Sequence, residues 1–107
     1  MQTLVVYATE EVHMNKPKVP VIFRYSVREN DLFAVLPTLP AAEGCSVMYS
    51  HVGQHSEGTD AYWRKSRPAT RVEFADLYRE LCGVYGDCTL VLRSRDCAAY
   101  RKERWAP

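Results

Sequence analysis

Several things are scarce in this 107-residue chain, and each scarcity excludes a class of function. No apolar run approaches the ~20 residues that a bilayer-spanning helix needs, so no membrane role is expected. The amino terminus lacks a basic segment, and its short apolar stretch ends at Thr9-Glu10-Glu11, which leads us to expect a cytoplasmic protein. Charge of one sign is nearly absent: 14 Lys and Arg face 13 Asp and Glu, for a formal net charge of +1. That balance excludes a histone-like polycation and an acidic disordered tail. No glycine-rich phosphate loop and no paired-carboxylate motif appears, so no catalytic residue is assigned and no cofactor is expected. The four cysteines, Cys45, Cys82, Cys88 and Cys97, lack zinc-ribbon or zinc-finger spacing. In a reducing compartment they are expected as free thiols, with Cys45 and Cys82 as small core residues.

What is present is enough apolar residue (47%) for one core, within a length that suits one domain. Thr3–Ala8 is β-rich and short. From residue 19 the chain alternates, with Val21, Phe23, Tyr25 and Val27 on one side and Ile22, Arg24 and Ser26 on the other. Period-2 alternation is the mark of a half-buried strand. The polar Arg28-Glu29-Asn30-Asp31 break and the apolar Leu32–Leu36 run then predict a β-hairpin over 19–36. Pro37 and Pro40 end it. Cys45–Ser50 alternates again. Residues 51–70 are long for a structureless loop, which points to a short turn of helix or a functional role. A helix is predicted at 71–82: Thr70 and Glu73 form a capping-box pattern, and Phe74, Leu77, Tyr78 and Leu81 fall on one stripe. Gly83 follows as the expected terminator. A last strand is expected from Cys88 to about Arg95.

The fold class expected is therefore α+β, an antiparallel or mixed sheet of four to five strands with one main helix (71–82) packed on one face. Residues 1–95 form the single domain and 96–107 a polar C-terminal tail. One helix covers one face of a sheet. The opposite face must be polar, covered by loops or buried in a partner. Phe23, Tyr25, Met48 and Tyr49 supply more apolar bulk than the helix can hide, which points to a homodimer through that face.

The segments Val21-Ile22-Phe23-Arg24, Leu32–Pro40 (LFAVLPTLP), Tyr49–His55 (YSHVGQH), Arg67-Pro68-Ala69-Thr70 and Phe74–Leu81 (FADLYREL) together resemble small proteins from bacterial chromosomes, phages and other mobile DNA such as integron cassettes. The likeness spans roughly residues 21–95. It departs at Phe74, where a tyrosine is usual, and in the cysteine-rich end. No activity is assigned to such proteins, so the resemblance implies an accessory gene product and carries over no catalytic residue.

Two groups of residues remain as candidate sites. His51 and His55, with Gln54, are candidates for a ligand site or for organising the loop. Gly53 lies between the histidines and no glutamate follows His51, so the pair is no zincin motif and no metal is assigned. The second group follows charge. Residues 1–61 hold four basic and seven acidic side chains, whereas residues 62–107 hold ten and six. Trp63, Arg64, Lys65 and Arg67, and in the tail Arg101, Lys102 and Arg104 beside Trp105, interleave rings with cations as nucleic-acid binding requires. The same distribution suits an acidic protein partner or self-association. The favoured reading is a small non-enzymatic binding protein acting through protein–protein contacts and self-associating. A nucleic-acid module and a small enzyme or ligand-binder centred on His51 and His55 are the alternatives.

Overall fold

A computed structural model describes residues 16–51, 53–95 and Tyr100. Among the described residues the architecture is α+β, with one mixed sheet, a long helix over 71–84 and a short helix over 60–64. The alternating segment from Val19 forms β1 (Lys18–Ser26) and pairs antiparallel with β2 (Asp31–Leu36), placing Ile22 opposite Val35 and Phe23 opposite Ala34. Between them Asn30 takes φ +51°, a left-handed conformation that asparagine tolerates better than most residues. The Glu29 N–H donates to Ser26 Oγ at 3.1 Å and closes the turn. Strand β3 (Cys45–Ser50) coincides with the expected segment and extends the meander.

The long connection expected at 51–70 is mostly regular structure. It holds β4 (Gln54–Thr59), the five-residue helix α1 (Asp60–Arg64) and the two-residue β5 (Arg67–Pro68). With these additions the sheet has six strands among the described residues, against an expected four to five. The order is β4-β3-β2-β1, and β1's other edge is shared end to end by β5 and β6 (Thr89–Arg93). Strand β6 alone runs parallel to β1. The chain makes that crossover through α2 (Arg71–Val84), whose capping box is complete: Thr70 and Glu73 each receive the other's backbone N–H. Gly83 does not terminate α2. The helix continues through it to Val84, and Tyr85 caps it with its N–H on the Leu81 carbonyl.

The period-2 alternation divides the sheet into two apolar faces. Val19, Val21, Phe23, Ala34, Leu36 and Tyr49 face α2, which buries Leu77 and Leu81 against them. Each such leucine contributes roughly 1.5–3 kcal/mol relative to an exposed one. Phe74 stacks on Phe23 with ring centres 4.4 Å apart, and Tyr78 meets the same ring edge-on at 6.2 Å. Cys82 lies off this stripe and is exposed, so it is not the core residue expected; Cys45 is half-buried. Among the described residues, Cys45, Cys82 and Cys88 form no disulfide with one another.

The opposite face overturns the premise of the expected homodimer. Ile22, Phe33, Val35 and Met48 are buried there within the chain itself, in one cluster with Trp63 of α1 and Tyr100. A second, smaller helix thus does on this face what α2 does on the other. The expected strand at 3–8 and the rest of the expected tail lie outside the described residues. Among the described residues, no helix is long and apolar enough to cross a membrane.

Candidate functional site

The β3–β4 hairpin brings His51 and His55 to the C-terminal end of α2. Register pairs Tyr49 with His55 and Ser50 with Gln54, so both histidines stand beside the Tyr49 side chain. The turn needs a left-handed residue, supplied by Gly53 at φ +73°. Tyr49 donates its hydroxyl proton to Glu80 Oε2. The Gly53 N–H lies 3.1 Å from the Tyr49 oxygen and 3.4 Å from Glu80 Oε2. His51 Nδ1 sits 3.1 Å from Glu80 Oε1, and His55 Nε2 sits 2.7 Å from the Tyr85 hydroxyl.

Each imidazole is therefore engaged by a side chain of α2 or its cap, and the two rings clamp the hairpin to the helix. The hydrogen bond to Glu80, then burial, push the Tyr49 phenol above its ordinary range. Burial, then the neighbouring Cys88 and Tyr49, do the same to Tyr85. Gln54 is exposed at the start of β4. Among the described residues, no three His, Cys, Asp or Glu side chains are grouped so as to hold a metal ion. What this arrangement can do is hold a turn in place.

The basic-aromatic segment is placed differently from what its composition suggested. Trp63 is 2% exposed, with its indole N–H donated to Asp60 Oδ1 at 2.9 Å. The guanidinium carbons of Arg24 and Arg64 each lie 5.7 Å from the centre of its ring. A ring so enclosed cannot stack on a base, which removes Trp63 from the nucleic-acid candidates. Arg67 grips Glu73 through both Nη atoms, at 2.9 and 2.7 Å, and lies over the Tyr25 ring at 4.6 Å. With the Thr70 N–H, that grip holds the Glu73 carboxyl down at about 2. Lys65 caps α1 and is exposed. Arg101, Lys102 and Arg104 lie outside the described residues.

The feature that sequence reasoning missed is a cleft of about 660 Å³ between the β1–β2 turn and the α1–β5 segment. Its volume falls within the roughly 300–1,000 Å³ of ligand pockets. The turn contributes Val27, Arg28 and Glu29, and the facing wall contributes Tyr62, Lys65 and Arg67. Tyr62 is positioned from behind by Phe33, with ring centres 5.9 Å apart. The wall is fastened to β1 by Arg24, which donates to Ser66 Oγ at 3.0 Å and to the Ser66 carbonyl. Burial lowers the Arg24 pKa from its ordinary value. The two walls meet only in the folded chain, more than 30 residues apart in sequence, so no local spacing announces them. Against family models, curated proteins and solved structures, the chain gives no match.

Proposed function

We propose that this chain is a small non-enzymatic binding protein that takes a segment of a partner protein into the cleft between the β1–β2 turn and the α1–β5 segment. The sequence likeness supports an accessory product of mobile DNA. The observation that carries the reading is the cleft itself, lined by exposed Val27 and Tyr62 with cations from both segments. Exposed apolar side chains rimmed by charge are how partner surfaces are built.

Among the described residues, Trp63 and Tyr100 pack on the sheet face expected to self-associate. Partner contact therefore moves to the cleft. Of the nucleic-acid candidates, Trp63 is taken up by the core and Arg67 by Glu73, while Trp105 and the tail cations lie outside the described residues. The histidine-centred alternative is left with two rings already bonded to α2 and its cap.

The test is selection of displayed random peptides on the immobilised full chain, repeated with Tyr62→Ala. Peptides that are retained by the native chain and lost by the variant support the reading. Selected peptides that ignore the substitution, or no enrichment at all, overturn it. A circular-dichroism melt of Tyr62→Ala establishes that the variant is folded.

A further inference from the structure

Which chemistry the cleft takes follows from the state of its charges. We infer that its occupant is an acidic protein segment carrying one apolar or aromatic anchor, an inference that rests on the binding reading above. Val27 is 70% exposed and Tyr62 38% exposed, and they belong to opposite walls of the same cavity. A valine so exposed at the end of a strand gains nothing from its own fold. An apolar side chain inserted between it and the Tyr62 ring covers both.

Three cations and one carboxylate line the same space: Arg28, Lys65 and Arg67 against Glu29. Arg67 is committed to Glu73 and lends the cleft its field without a free fork. Arg28 and Lys65 are exposed, and among the described residues neither forms an ion pair. They stand on opposite walls, so carboxylates on either side of an anchoring side chain meet one cation each. Such pairs set selectivity and association rate more than raw affinity.

A nucleic acid is the weaker fit. Its repeated phosphates need a run of cations, whereas two are available here and Glu29 shares Arg28's wall. The buried indole of Trp63 leaves Tyr62 as the one ring of the α1 wall that can be stacked on.

The experiment is fluorescence anisotropy on the full chain with three labelled probes. The first is a decapeptide alternating Glu with Phe and Leu, the second its Gln-for-Glu counterpart, and the third an oligothymidylate of equal length. The inference expects the acidic peptide to bind about tenfold more tightly than the Gln peptide at low salt. It expects Arg28→Glu and Lys65→Glu each to weaken the acidic peptide about tenfold, and both to leave the Gln peptide within about twofold. Both residues are exposed, so the variants fold. Equal binding of the two peptides, with both weakened by Tyr62→Ala, overturns the acidic chemistry and leaves the cleft as a binding site. Tighter binding of the oligothymidylate overturns the choice of partner in favour of nucleic acid. Failure of every probe overturns the inference, and the display selection then decides separately whether the cleft binds anything.

Discussion

Trp63 donates its indole N–H to Asp60 Oδ1, 2.9 Å away and three residues earlier on the same short helix. The same oxygen accepts the Ser46 hydroxyl of β3 at 2.7 Å. One buried carboxylate thus ties the helix, the indole and the sheet together, and it lets a five-residue helix serve as the lid of a sheet face.

Asp60→Ala leaves two buried donors without their acceptor, at about 1–3 kcal/mol for each. Urea unfolding is expected to show a loss of about 2–6 kcal/mol. Asp60→Asn, which keeps an oxygen in place, loses less. Trp63→Ala, which empties the centre of the second cluster, costs about 3–5 kcal/mol. A neutral result for Trp63→Ala contradicts the assignment of that ring to the core.

Gly58 is held by packing rather than by backbone conformation. A Cβ at that position collides with the Met48 sulfur on the neighbouring strand. Gly58→Ala is expected to destabilise by about 1–3 kcal/mol. Because the obstacle is a single flexible side chain, Met48→Ala made together with it costs less than the two single losses combined. A double-mutant cycle measured by urea unfolding reads that coupling.

Acid sensitivity has an identifiable contributor at the start of α2. Arg67 first, and then the Thr70 N–H, lower the Glu73 carboxyl from 4.5 to about 2. A group whose folded pKa is depressed adds stability above its unfolded value. That contribution is lost as pH falls from about 4.5 towards 2. The stability of Glu73→Gln is therefore expected to be lower near neutrality and flatter between pH 5 and 2 than that of the native chain. Added salt narrows the difference, since the pair is accessible to solvent. Denaturant midpoints across that range provide the check.

The clamp at the other end of α2 has its own signature. Tyr49 titrates above the ordinary 10, chiefly because its proton is held by Glu80. The resulting stabilisation is complete below pH 10 and is lost as pH rises through the raised folded value. In Glu80→Ala, Tyr49 ionises at lower pH, and the Gly53 amide exchanges with solvent faster. The overall loss is about 1–3 kcal/mol. Ultraviolet phenolate absorbance and amide exchange follow the two effects.

The parts of the fold that were legible are those whose side chains repeat. The side chains of β1 and β3 alternate in sequence with period two, β2 is a short apolar run behind a polar turn, and Phe74, Leu77, Tyr78 and Leu81 mark the buried side of α2. Strand β4 reads QHSEGT and stays almost wholly exposed, so it belongs to the sheet by hydrogen bonds to β3 and carries no apolar pattern to betray it. Helix α1 is too short for a helical period to show, and its one buried ring looks, in sequence, like part of a basic-aromatic surface. From this came both misreadings, the open sheet face and the stacking tryptophan. The histidines stood out by type, but their partners Glu80 and Tyr85 lie on another element some 30 residues away.

Chemical-shift mapping of the isotopically labelled full chain with the acidic Glu-Phe-Leu decapeptide tests the central claim most directly. The account predicts that the amides of 26–29 and 61–67 move together and saturate, while those of the His51–Gly53 turn and the exposed β4 edge stay still. Movement confined to the β4 edge or the histidine turn, or no movement anywhere, would contradict it.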